Sequence, residues 1–147
     1  MAGELLLDTS ALVGLIDSSQ SIHRACVDYY RSWNGAVVTS EAVLTESTHL
    51  LSDTPQGALA CLDFVLLGGV HVIPSTDISL RRCRALIDKY SDLPMDLADA
   101  TLVVLAEELN TDLVFTVDRD FGVYRIRGRK PFRVVPKDTS KRTSSRY

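Results

Sequence analysis

The chain has 147 residues, of which 46% are hydrophobic, 24% charged and 7% aromatic, and its formal net charge is −3. That length suits one domain with a substantial core, and the balance excludes a wholly disordered, collagen-like or disulfide-framed chain. The charge is unevenly split: residues 1–118 hold 6 Lys and Arg against 17 Asp and Glu, net −11, while residues 119–147 hold 10 against 2, net +8.

In chain order, Leu5-Leu6-Leu7 is a short apolar run ending in Asp8, the pattern of a strand buried on both faces, and Thr9 to Ile16 follows as a helix. Ser21 to Trp33 has helical spacing, with a serine cap at its start and Asn34-Gly35 at its end. Ala36 to Thr39 reads as the second strand. Glu41 to Leu51 and Gln56 to Leu67 form a helical pair around Asp53-Thr54-Pro55, with the proline suited to a first helical turn and Gly68-Gly69 as the stop. Val70 to Ile73 is the third strand, Asp77 to Tyr90 an amphipathic helix, Asp96 to Leu109 a helix apolar nearly all round, and Leu113 to Val117 the fourth strand. A short strand at Phe132 to Val135 closes the pattern. Short apolar strands alternating with helices predict an α/β domain over residues 1–136, with three α/β/α layers around a mainly parallel sheet of about five strands. Residues 137–147 read as a basic, solvated tail.

The longest stretch free of Asp, Glu, Lys and Arg is the 13 residues Phe64–Thr76, and it contains Gly68, Gly69 and Pro74. A membrane span needs about 20 apolar residues, so none is expected. Glu4 and Asp8 stand where a secretory leader carries basic residues before an apolar run, which makes the cytoplasm the expected compartment. Cys26, Cys61 and Cys83 are odd in number and form no CxxC, so buried, reduced thiols are expected rather than a zinc site.

Phosphate-binding and dinucleotide glycine loops, HExxH and GxSxG are all absent, and His23, His49 and His71 have no nucleophile context. Glu46-Ser-Thr-His49 has the spacing of a di-iron bundle motif, which requires a second copy. The carboxylates say more. Asp8 directly follows a strand, where it either caps the next helix or faces a ligand. Glu46 falls on the apolar stripe of its helix, beside Val43 and Leu50, where an unpartnered charge is expensive. Asp99 lies on the same face as Val103 and Ala106 of an otherwise apolar helix, and Asp96, one turn earlier, fits an N-cap. Asp118 follows the fourth strand as Asp8 follows the first, with Asp120 two residues on; either can instead serve turn backbone. Four converging acids repel one another unless a cation sits among them, and a hard divalent ion resolves the conflict.

The stretches Leu6-Leu7-Asp8-Thr9-Ser10-Ala11-Leu12, Val43-Leu44-Thr45-Glu46, Met95-Asp96-Leu97-Ala98-Asp99-Ala100 with Ala106-Glu107, and Val114-Phe115-Thr116-Val117-Asp118-Arg119-Asp120-Phe121 resemble a PIN domain of the VapC type, the ribonuclease toxins of VapBC toxin–antitoxin pairs. The resemblance runs over about residues 4–136, and no acid of the family's core pattern is missing. It implies a five-stranded parallel sheet, Mg²⁺ or Mn²⁺ as cofactor, RNA as substrate, a VapB-like antitoxin as partner and a homodimer. It also implies Asp8, Glu46, Asp99 and Asp118 as catalytic residues, with Asp8, Asp99 and Asp118 on the metal. Thr9, Ser10, Thr116 and Asp120 are supporting residues, and so is Asp96, which matches an acid found in only part of the family. The chemistry implied is in-line hydrolysis of a phosphodiester. Arg119, Arg125, Arg127 and Lys130 are candidate contacts to RNA phosphates. Two other readings stand beside it: a catalytically silent PIN-type interaction module, and a metal-dependent phosphatase using Asp118-Arg119-Asp120, for which Lys89 is the only lysine before Lys130.

Overall fold

The computed structural model describes residues 3–137. Strands β1 (Leu5–Leu7), β2 (Val37–Ser40), β3 (His71–Ile73), β4 (Leu113–Phe115) and β7 (Arg133–Val135) form one sheet in the order β3-β2-β1-β4-β7, every neighbouring pair parallel. Helices α1 (Thr9–Ile16), α2 (His23–Ser32), α3 (Glu41–Leu50), α4 (Gly57–Leu66), α5 (Asp77–Lys89) and α6 (Leu97–Leu109) flank it, giving the expected three layers. Parallel strands need crossover connections, and covering both faces makes the central strands apolar throughout. Leu5, Leu6, Leu7, Val114 and Phe115 are accordingly fully buried.

Helix α6 is the pillar of the core. Its residues Ala98 to Ala106 are buried without interruption, because α3, α5, β1, β2 and a small hairpin all pack on it. Asn110 in the left-handed region (φ 53°) ends it, a conformation asparagine tolerates. The glycine stop after α4 is real: Gly68 has φ 91°, and a Cβ on Gly69 would stand 2.5 Å from the Phe64 ring. The three cysteines are free and buried, as expected. Tyr29 packs edge-on against Phe115, Tyr30 packs on Phe64, and the Trp33 indole donates to the Ala36 carbonyl, so these aromatics serve the core and its margin.

Several boundaries differ from the sequence expectation. Helix α4 begins at Gly57, two residues after Pro55, and α2 begins at His23 with no side-chain cap. The larger difference lies in 119–131. A 3-10 turn (Arg119–Gly122) leads into an antiparallel hairpin of β5 (Arg125–Ile126) and β6 (Lys130–Pro131), where only a basic segment was expected. The basic tail lies outside the described residues from 138 onward. Among the described residues no helix is long and apolar enough to cross a membrane.

Candidate functional site

The chain starts at β1, builds outward to β2 and β3, then crosses to β4 on the other side of β1. The β1/β4 junction is therefore the topological switch point, where loops diverge at the strands' carboxyl ends and leave a crevice. Asp8 leaves β1 and Asp118 follows β4 at that crevice, while Asp96 and Asp99 stand at the start of α6 and Glu46 in the second turn of α3.

Asp8 occupies the N-cap position of α1, yet its side chain makes no capping hydrogen bond. Its Oδ2 instead accepts from the Thr116 hydroxyl at 2.7 Å and the Ser10 hydroxyl at 3.2 Å. Thr116 Oγ1 lies 3.0 Å from Ser10 Oγ and accepts from the Asp118 amide at 2.9 Å, and Ser10 Oγ accepts from the Val117 amide at 3.0 Å. These bonds lace the ends of β1 and β4 together and aim Asp8. Burial pushes its carboxyl up to about 6, with the hydroxyls opposing the rise and the Asp118 charge adding to it.

Asp96 is the N-cap of α6, accepting from the Asp99 amide at 2.8 Å, as its position one turn before Asp99 suggested. Asp99 is 7% exposed and accepts from the Tyr124 hydroxyl at 2.9 Å. Burial, followed by the charges of Asp96 and Asp8, pushes it up to about 7. Glu46 is half-buried and accepts from the Thr9 hydroxyl; burial raises its carboxyl, with Asp96 and Asp118 adding. The buried stripe of α3 runs through Val43 and Ser47 to Leu51, while Leu50 is 57% exposed, so Glu46 borders that stripe rather than lying within it. Asp118 accepts from the Asp120 amide at 2.9 Å, which also makes it the cap of the 3-10 turn, and Asp120 is raised by burial and then by Asp118. His49, the other half of the di-iron spacing, is exposed.

The acids thus feel one another across the crevice, and among the described residues no Lys or Arg forms an ion pair with any of them. They do not form a closed cage: among the described residues no three acid, histidine or cysteine side chains converge as a ready metal-ligating group. Oxygen-only donors, uncompensated negative charge and hydroxyl-aimed carboxylates nevertheless match a hard cation, which keeps several waters and needs only one or two carboxylates.

The basic candidates divide. Arg119 opens the 3-10 turn, exposed, directly after Asp118. Arg125 folds onto the carbonyls of Gly122, Val123 and Tyr124, Arg127 is held by Glu107, and Lys130 pairs with Asp112 at 3.2 Å. Tyr124 escaped the sequence analysis because the surrounding charges dominated it. The legible signal was the alternation of Tyr124 and Ile126, both buried, with Val123 and Arg127, both exposed, and Arg125, half-buried. Its ring is fully buried against Tyr90 and Phe121.

Tyr124→Phe keeps that packing and deletes the hydrogen bond that orients Asp99 and favours its ionised form. The expected result is Mn²⁺ binding weakened by roughly tenfold in a spin-resonance titration of metal-free protein. Unfolding free energy should change by only about 1 kcal/mol. Unchanged Mn²⁺ affinity would mean that the phenol merely fills space.

The family model for the PIN domain matches residues 5–126. The ribonuclease VapC26 of Mycobacterium tuberculosis is 31% identical over 136 residues, covering 90% of this chain and 100% of the relative. Among solved structures, the sarcin–ricin-loop-cleaving toxin VapC20 of M. tuberculosis superposes with a TM-score of 0.72 at 20% identity, over 81% of this chain and 93% of that one. VapBC2 of Rickettsia felis, bound to a DNA fragment from its promoter, superposes with a TM-score of 0.65 at 17% identity, over 89% of this chain and 98% of the other.

Proposed function

The chain belongs to the PIN-domain family, and from that premise we propose that it is a divalent-cation-dependent endoribonuclease, the toxin of a type II toxin–antitoxin pair acting in the cytoplasm. One observation carries the chemistry: Asp8 and Asp99, both buried, share a crevice with Asp118 and Glu46, and no basic side chain among the described residues neutralises them. The 31% identity to a ribonuclease along its full length supports RNA as the substrate. The VapBC complexes among the structural neighbours support a VapB-like antitoxin as partner.

Asp8 and Asp99 would hold Mg²⁺ or Mn²⁺ as the one or two carboxylates such an ion needs, with Asp118 as a further candidate ligand. When bound, such an ion polarises a phosphoryl oxygen and lowers the pKa of coordinated water. The chain's own residues do the rest. Thr116 and Ser10 fix the Asp8 carboxylate, Tyr124 fixes Asp99, and Thr9 turns Glu46 toward the crevice, where Glu46 accepts a proton from the attacking water. In-line attack forms the new P–O bond as the P–O3′ bond breaks, and the leaving 3′-oxygen takes a proton from solvent, so the products carry a 5′-phosphate and a 3′-hydroxyl. Asp96 and Asp120 would deepen the negative field without being required as ligands, and the exposure of Arg119 beside Asp118 supports it as a contact to an incoming phosphate.

The purified protein is expected to cleave a mixed RNA pool with Mg²⁺ or Mn²⁺ and to lose that activity with EDTA, regaining it when the ion is returned. End-labelling of the products reads the 5′-phosphate. Cleavage that persists in EDTA, or products ending in a 2′,3′-cyclic phosphate, would overturn this mechanism.

A further inference from the structure

RNA is a polyanion and the crevice is acidic, so approach requires a compensating positive surface. The described part of the chain concentrates one along α5, the end of α6, the β5–β6 hairpin and β7. Glu107 is shared by two cations: Arg82 grips its carboxylate at 2.9 and 3.0 Å, and Arg127 contributes its amide to the carboxylate and its guanidinium to the Glu107 carbonyl, both at 2.8 Å. Asp112 is likewise shared by Lys130 at 3.2 Å and Arg133 at 2.8 Å. Each carboxylate thus organises more positive charge than it cancels. Lys89 and Arg129 add to the excess, having no ion-pair partner among the described residues.

The hairpin turn is built to present this charge. The Arg129 amide closes on the Ile126 carbonyl at 3.1 Å, a β-turn whose two central residues both have positive φ, 52° at Arg127 and 73° at Gly128, with Arg129 as the third residue before Lys130 pairs with Ile126. Asn or Gly suits the first of those positions, yet an arginine stands there, held by Glu107. Lys89 Nζ lies 3.4 Å from where a Cβ on Gly128 would be, which brings α5's terminal ammonium to the same tip. The ridge also connects to the crevice: Tyr124, which donates to Asp99, immediately precedes β5, and the eight residues from Asp99 to Glu107 span about 12 Å of helix.

We propose that this ridge, centred on the β5–β6 turn and Lys89, docks the RNA backbone beside the cleaved bond. The proposal rests on the ribonuclease reading of the crevice, and it concerns where the substrate lies rather than how it is cut. It separates the turn residues Arg127 and Arg129, with Lys130 at the start of β6, from Arg125, whose guanidinium is occupied by three backbone carbonyls.

The test is fluorescence anisotropy with labelled single-stranded RNA of mixed sequence, in an Asp99→Asn background, across a chloride series. Adding Lys89→Glu and Arg129→Glu is expected to lower affinity at least tenfold near ~0.1 M salt. The slope of log K against log salt should become shallower by about 1.4, two single-strand phosphate contacts' worth. The control pair Arg24→Glu and Arg31→Glu, exposed on α2, makes the same change in net charge and should alter affinity less than about threefold. Equal losses in both pairs, or no loss in the ridge pair while the parent binds RNA, would overturn the inference alone. A parent that binds no RNA at low salt overturns the ribonuclease reading and the inference with it. Labelled poly-glutamate lost by the ridge pair while RNA is retained would assign the surface to an acidic peptide.

Discussion

Asp99→Asn is expected to reduce RNA cleavage by on the order of 10³-fold, because it removes a charge from the group that would hold the cation and leaves the shape unchanged. The same substitution should raise the stability of the metal-free protein. Asp99 is buried beside Asp96 and Asp8, and its ionised form is held there against desolvation and like charge. The neutral amide removes both costs while its carbonyl oxygen still accepts from the Tyr124 hydroxyl, which lies 2.9 Å from Asp99 Oδ2. Loss of activity with gain of stability is what an electrostatically strained site gives and what a damaged core does not. Cleavage rates on one RNA, with urea unfolding at pH 7.5 in EDTA, read both halves. An inert variant that is also less stable would assign Asp99 a structural role.

The second large effect is on pH. Asp8 at about 6 and Asp99 at about 7 both lie above their ordinary 3.8, so between those values the folded protein binds protons that the unfolded chain has released. The stability they contribute is therefore complete below about pH 4 and is lost as pH rises through 6 and 7. Between pH 5 and pH 8 the metal-free protein should lose on the order of 4 kcal/mol from this pair. Asp17, Glu107 and Asp112 are held below their usual range and act with the opposite sign, but their window lies at lower pH, where those acids protonate. A divalent cation takes the ionised carboxylates, so Mg²⁺ should raise Tm far more at pH 8 than at pH 5. A flat stability profile in EDTA between pH 5 and 8 would contradict the placement of two buried, mutually repelling acids.

The sheet, the six helices and the crevice acids were legible because each leaves a local mark. Strands buried on both faces appear as unbroken apolar runs, and Asp99 stood out as a charge in a helix with no polar face. Whether Asp8 capped a helix or faced a ligand was not legible, since both require Asp directly before a helix; only the direction of its carboxylate toward Thr116 and Ser10 separates the two. The β5–β6 hairpin was hidden for another reason. Its paired strands have two residues each, so the alternation of Tyr124 and Ile126 marks a buried side without fixing a partner strand, and its turn places arginine where turn chemistry favours Asn or Gly. The Tyr124–Asp99 bond depends on that hairpin folding back over α6 and has no signature in either stretch alone.

The unbroken burial of Ala98 to Ala106 has a consequence for hydrogen exchange. Amides of Ala100 to Ala106, bonded in the ladder of the main core element, exchange only when the whole domain opens, so the helix that carries Asp99 belongs to the slowest-exchanging part of the protein. Asp118 instead caps a four-residue 3-10 turn, Arg119–Gly122, whose second residue, Asp120, is only half-buried. The crevice therefore has one wall that ligands cannot further protect and one that they can. When Mg²⁺ is added, new protection should appear at residues 118–122, while the α6 amides change only as far as global stability does.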